Sequence, residues 1–252
     1  MTAPSFRLDG KVAVVTGSSK GLGRAMALGF ADAGADVVVS SRRLDGCEVV
    51  AAEVRGRGRR SLAVACHVGR WDECAALVAR TVKEFGRIDV LVNNAGIAPV
   101  PPSLLGVTEE LFDKTIAVDL KGPLRLTALA AEHMPPGGAV INISSKASTH
   151  PSPFTVVYAA AKAGLNALTV AAAQELAPRG VRVNCIVCGT FDTDSFRASA
   201  PTPEAQQQLV QRIGLGRIAD AEEIVGTALY LATDASSYLT GQLITLDGGG
   251  AA

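Results

Sequence analysis

Apolar residues cluster in short runs along the chain. VAVVT (12–16), DVVVS (36–40), SLAVAC (61–66), IDVLVN (88–93), AVINIS (139–144), VRVNCIV (181–187) and LITLD (243–247) are rich in valine, isoleucine and leucine. A strand wetted on one face alternates apolar and polar positions, so these near-continuous runs predict seven strands covered on both faces, as in parallel sheets. Between them the pattern turns helical, predicting helices over 22–33, 44–56, 71–85, 108–133, 155–178 and 221–232. Two carry start signals: Thr108 precedes Glu109 and Glu110, and Asp220 precedes Glu222 and Glu223, placing acids where the helix dipole favours them. Strand and helix alternate from end to end. The expected fold is therefore α/β, a doubly wound parallel seven-stranded sheet with helices on both faces. With no linker or repeat, one domain spanning 1–252 is expected; its least regular stretch, 190–215 with SAPTPEAQQQ, should form a flap beside the strand ends.

Composition narrows the function classes. The 252 residues are 48% hydrophobic, enough for a substantial core, and 24 basic residues balance 24 acidic ones. A net charge of zero supplies no field toward nucleic acid or an anionic membrane, so neither is expected as a partner. The densest basic run, RGRGRR at 55–60, should end a helix and face solvent. Cys47, Cys66, Cys74, Cys185 and Cys188 are odd in number and scattered, which fits a reducing compartment and a cytoplasmic location better than a disulfide framework. CIVC at 185–188 has redox-motif spacing but lies in an apolar run without a helix start, so buried thiols are expected there. The weakly polar stretch 156–173 is broken by Lys162 and Asn166 and reads as a packed helix; the N-terminus has no apolar core of signal-peptide length. No metal site is expected.

Chemistry first appears at TGSSKGLG (16–23). Gly17, Gly21 and Gly23, with Ser19, Lys20 and Leu22 among them, sit directly between the first strand and the first helix. There a dinucleotide's pyrophosphate can rest against helix N–H groups, with glycine permitting close backbone approach. The spacing is GxxxGxG, not GxGxxG, and the absence of GxxxxGK[ST] disfavours a nucleotide triphosphatase. An acid ending the second strand would accept bonds from a ribose 2'-hydroxyl and repel a 2'-phosphate. That strand instead ends in Ser41, Arg42 and Arg43, with Lys20 expected nearby and Asp36 at the far end. Guanidinium matches phosphate, so NADP(H) is preferred over NAD(H), which stays possible.

A second chemical feature is YAAAK at 158–162. Four residues advance a helix by about 400°, so Tyr158 and Lys162 share one face. A phenol titrates near pH 10 and a neighbouring ammonium stabilises its anion, bringing it toward acid/base strength useful at neutral pH. Thirteen residues before the tyrosine, Ser145 directly follows AVINIS at the strand's C-terminal end, where α/β ligands bind and a hydroxyl can bond a reacting oxygen.

Taken in order, TGSSKGLG, NNAG (93–96), ISS (143–145), YAAAK and the terminal LTGQLITLDGG resemble the short-chain dehydrogenase/reductase family over nearly the whole chain. The resemblance implies a Rossmann-like domain, hydride transfer between nicotinamide and a small-molecule carbonyl/alcohol pair, and a homotetramer or homodimer. It implies Tyr158 as general acid/base, Ser145 orienting the substrate oxygen, and Lys162 binding the nicotinamide ribose. Asn93, Asn94, Ala95 and Gly96 would border the cofactor, with Asn93 and Gly96 nearest it; His67 and Val68 would bound the adenine; Gly189, Thr190 and Thr193 would meet the nicotinamide. Three positions depart from the family's pattern. Asp119 stands where the family's asparagine supports a proton-relay water; a carboxylate can pair with Lys162 and weaken its ammonium's effect on the phenol, or can hold that water itself. His67 replaces an aspartate, its backbone groups still being able to bound the adenine, and Cys188 replaces a proline before Gly189. A non-catalytic dinucleotide-binding or redox-sensing protein on the same fold is the alternative; intact Ser145, Tyr158 and Lys162 argue against it.

Overall fold

The computed structural model describes residues 5–250. The strands β1 (Val12–Thr16), β2 (Asp36–Ser41), β3 (Ser61–Ala65), β4 (Val90–Asn93), β5 (Ala139–Ser145), β6 (Arg182–Cys188) and β7 (Leu243–Leu246) form one sheet in the order β3-β2-β1-β4-β5-β6-β7. Every neighbouring pair is parallel. The helices are α1 (Gly21–Asp32), α2 (Leu44–Gly56), α3 (Trp71–Phe85), α4 (Glu109–Ile116), α5 (Gly122–Ala131), α6 (Val156–Leu176), α7 (Asp194–Ser199), α8 (Pro203–Val210) and α9 (Ile224–Ala232).

The apolar runs divide between two cores because successive side chains point to opposite faces. Ala13, Val15, Val37, Val39, Val90 and Val92 pack with Met26, Phe30, Val50 and Leu231 of α1, α2 and α9. Val14, Val38, Leu91 and Val140 pack with Leu77, Leu126 and Ala173 of α3, α5 and α6. The chain runs outward from β1 to β3, then crosses back to β4 on the other side of β1. This reversal opens a crevice beyond the carboxyl ends of β1 and β4, the place where doubly wound sheets bind ligands.

Local structure departs from expectation in three places. The helix predicted over 108–133 runs without interruption from α4 into α5, but carries a π-helical turn at Ala117–Lys121 between them. Pro123 has no N–H to continue the ladder, and Gly122 lies against the Val68 carbonyl, where a Cβ would collide. The flap contains α7 and α8, begun by Thr193 and Thr202, whose hydroxyls accept from Phe196 N and Ala205 N at 3.3 and 3.2 Å. The basic run is more than a solvated helix end: Arg59 and Arg60 pair with Asp36 at 3.3 and 2.8 Å and tie the start of β2 to the approach to β3. All five cysteines are buried and free, and burial pushes Cys185 up to about 11 and Cys188 up to about 12. The helical stretch Pro153–Arg179 is long and apolar enough to cross a membrane, but half of its most apolar window is buried within the protein.

Candidate active site

The predicted face of α6 forms, and its lysine is buried. Lys162 Nζ lies 5.7 Å from the Tyr158 ring centre, donates to the Ile143 carbonyl at 3.0 Å, and meets Asp119 Oδ1 at 3.2 Å. Asp119 is fully buried on the π-helical turn and accepts from Ile97 N at 3.2 Å. Burial opposes the charge on Lys162, but Asp119 and Tyr158 outweigh it and hold the ammonium above its ordinary value. Asp119 is pushed up by burial, partly offset by Lys162 and by the bonds from Lys162 and Ile97. Gly96 makes this pair possible, because a Cβ there would lie 2.7 Å from Asp119 Oδ1. Ser145 closes β5, and its Oγ accepts from Ala147 N at 3.2 Å.

The glycine-rich turn is held from β4. Asn94 Nδ2 donates to the Thr16 and Gly17 carbonyls at 2.8 and 3.2 Å. Thr16 Oγ1 accepts from Asn94 N and Ala95 N at 3.0 and 3.1 Å. Gly17 has φ 64° and faces Ala95 so closely that a Cβ would come within 2.8 Å of its Cα. Helix α1 then begins with no side-chain cap and no acid in its first turn, so its N-terminal N–H groups are not taken up by a capping side chain.

Comparison with known proteins gives the family. The family model described as enoyl-(acyl carrier protein) reductase matches residues 17–250. Human dehydrogenase/reductase SDR family member 4 is 37% identical over 96% of this chain and 88% of its own length. The short-chain dehydrogenase/reductase family contains this chain. The 3-oxoacyl-[acyl-carrier-protein] reductase FabG of Thermotoga maritima is 37% identical, covering 97% of this chain and 99% of its own. Among solved structures, a short chain dehydrogenase from Burkholderia cenocepacia in complex with NADP superposes with TM-score 0.91 at 32% identity, over 96% of this chain and 98% of the other. A short-chain type dehydrogenase/reductase from Mycobacterium marinum gives 0.90 at 35%, over 97% and 96%.

In this short-chain dehydrogenase/reductase several expected contacts are arranged differently. Asn93 was expected nearest the cofactor, but its amide is buried beneath the sheet and donates to Asn142 Oδ1 at 2.9 Å and Thr127 Oγ1 at 3.1 Å. Strand alternation turns Asn93 inward, leaving Asn94 to brace the turn. His67 was expected to offer backbone groups, but its N–H is engaged by Glu73 at 2.6 Å and its carbonyl accepts from Arg70 N at 2.8 Å, both at the start of α3. Val68 is buried in the core. Lys20, expected near the end of β2, pairs with Asp194 of α7 at 2.9 Å. Ser41 Oγ donates to the Arg43 carbonyl at 3.2 Å, while Arg42 is exposed and in no ion pair among the described residues. Thr193 overhangs the glycine-rich turn, with its Cγ2 3.5 Å from where a Gly21 Cβ would stand, and Gly189 lies against Asp247, a Cβ there coming within 2.6 Å of its Cα. Cys188 is paired in register with Ser145 and buried.

The site also uses residues that the motifs did not flag. Asn142 passes Asn93's bond on to Thr169 of α6 at 2.9 Å. Lys146, directly after Ser145, reaches Asp247 at 2.7 Å and so binds the serine's turn to the C-terminal segment. Their only sequence signal was a polar residue within or beside an apolar strand run.

Proposed function

We propose that the protein is an NADP(H)-dependent oxidoreductase that interconverts a carbonyl and an alcohol, with Tyr158 as general acid/base. The Tyr158–Lys162 face, with its buried and anchored ammonium, carries this reading. A dinucleotide fits the residues present: the uncapped start of α1 and the Gly17, Ser19, Gly21, Leu22 and Gly23 backbone would cradle its pyrophosphate, and Arg42 would meet a 2'-phosphate. Bound there, nicotinamide supplies or accepts the hydride. Gly96, Gly189, Thr190 and Thr193 would border it.

The proton chemistry belongs to the protein. Ser145 Oγ already accepts from Ala147 N, which leaves its own proton available for the substrate oxygen. Tyr158 gives its hydroxyl proton to that oxygen as the carbonyl is reduced and recovers it in alcohol oxidation. Two of the three Lys162 protons are engaged by Ile143 and Asp119, and the third is free for a ribose hydroxyl. The segments that leave β4 and β5 carry exposed Val100, Leu104, Leu105 and Phe154, supporting a small or medium apolar substrate. The exposed edge strand β7, with Leu243 and the neighbouring Tyr238 in solvent, supports assembly into a homodimer or homotetramer. Five free cysteines support a reducing, cytoplasmic setting.

The test is NADPH oxidation across a panel of ketones and aldehydes. Tyr158→Phe should lower kcat about a thousandfold while leaving NADPH affinity, read by fluorescence, unchanged. Turnover that survives this substitution overturns the assignment. Tight NADPH binding without turnover of any substrate would instead favour the non-catalytic reading.

A further inference from the structure

We propose that Asn166 is a positioning residue that fixes the Ser145 turn to the helix carrying Tyr158 and Lys162, acting through Ser148. The inference rests on the reading of Ser145, Tyr158 and Lys162 as the catalytic set. Tyr158, Lys162 and Asn166 follow one another at intervals of four on α6, so they form one stripe along it. The first two face the crevice; the third reaches the turn that follows β5.

Ser148 Oγ donates to the Ser145 carbonyl at 2.6 Å, closing the short 3₁₀ turn Lys146–Ser148 over the catalytic serine. Asn166 Nδ2 donates to Ser148 Oγ at 2.9 Å, and Asn166 Oδ1 accepts from Cys185 Sγ at 3.6 Å. Asn166 is 8% exposed and Cys185 fully buried.

The direction of each bond is determined. The Ser145 carbonyl can only accept, so the Ser148 proton is committed to it and Ser148 Oγ must accept from its other neighbour. The amide nitrogen of Asn166 therefore faces Ser148, and its oxygen faces Cys185. Burial raises Cys185 to about 11, so at neutral pH it is a thiol with a proton to donate. The chain Cys185, Asn166, Ser148, Ser145 thus links β6 to α6 and α6 to the end of β5. It holds the Ser145 backbone relative to Tyr158, while the Ala147 N–H orients the serine hydroxyl. An amide at 166 supplies a donor and an acceptor in fixed directions; leucine, of similar shape, supplies neither.

Asn166→Leu, Ser148→Ala and the double variant test this in the full-length protein. Each single change should lower kcat on the order of tenfold, with NADPH Kd unchanged, because misplacing a reacting group is costly. The double variant should lose no more than the worse single, because the two residues act in series. Ser148→Thr, which keeps the hydroxyl, should retain the wild-type kcat. An activity-independent readout is hydrogen exchange of the peptide 144–150, which should quicken in Asn166→Leu at unchanged global stability. Multiplicative losses in the double variant, equal damage from Ser148→Thr and Ser148→Ala, or unchanged exchange in a folded Asn166→Leu would each overturn the proposal. Absence of turnover in the wild type would defeat the oxidoreductase reading, and the exchange measurement would still decide the role of Asn166.

Discussion

The Lys162 neighbourhood and the Arg42 corner belong to one crevice but are built on opposite terms. Around Lys162 the charged groups are almost sealed, with side chains 5% exposed for Lys162 and 0% for Asp119, and each has a second partner in the backbone. Around Arg42 and Lys20 the charges stand in water; the Lys20–Asp194 pair is 70% and 58% exposed. Coulomb attraction falls steeply as effective dielectric rises, and salt screens what remains at the surface. The buried pair can therefore hold reacting groups in place, whereas the exposed charges can select a ligand without fixing the fold around it.

The two regions differ most at Lys162. Lys162→Met would leave Asp119 buried without its partner and should cost about 3–5 kcal/mol in urea unfolding; a loss below about 1 kcal/mol would place the pair in the class of ordinary surface ion pairs. Next is NADPH affinity: Arg42→Ala should raise Kd for NADPH about tenfold, about 1.4 kcal/mol, and leave NADH unaffected. Equal weakening for both cofactors would remove Arg42 from the 2'-phosphate site.

The pH dependence sharpens the buried side. Burial raises the Asp119 carboxyl, partly against the pull of Lys162, so the folded chain holds that proton more tightly than the unfolded chain does. The stability it contributes is greatest below the ordinary carboxylate range and is lost as pH rises through the raised value. Measured from pH 4 to 8, wild type should lose urea stability relative to Asp119→Asn as pH increases; a gap constant with pH, or moving in favour of wild type, contradicts this. The smallest effect belongs to the flap. Lys20→Ala should change stability by less than about 1 kcal/mol, because an exposed pair gains little, and a larger drop in thermal midpoint would show that α7 is bound more firmly than its exposed charges indicate.

Much of the architecture was legible because parallel strands buried on both faces leave continuous apolar runs, and these are the strands found. The Gly17 turn, Ser145, and the Tyr158–Lys162 spacing were legible for a similar reason: each is a local pattern within one element. The π-helical turn inside 108–133 was harder to see, since it lies where Gly122 meets Val68 of a distant segment. Asn93 and Asn94 are adjacent and identical in type, and only the strand's orientation decides which lies in the core and which supports the glycine-rich turn. Asn166 looked like a mere interruption of an apolar helix; its partners Ser148 and Cys185 lie 18 and 19 residues away.

The sequence by itself therefore determined the layers, the order of the motifs and the chemical types available, because periodicity and spacing act within single elements. The resemblance already paired Asp119 with Lys162; tertiary structure decided that Asn93 turns inward while Asn94 braces the glycine-rich turn, that Lys20 pairs with Asp194, and that Asn166 anchors Ser145. Those outcomes depend on distance, direction and exclusion of water between segments far apart in the chain, and no local pattern encodes them.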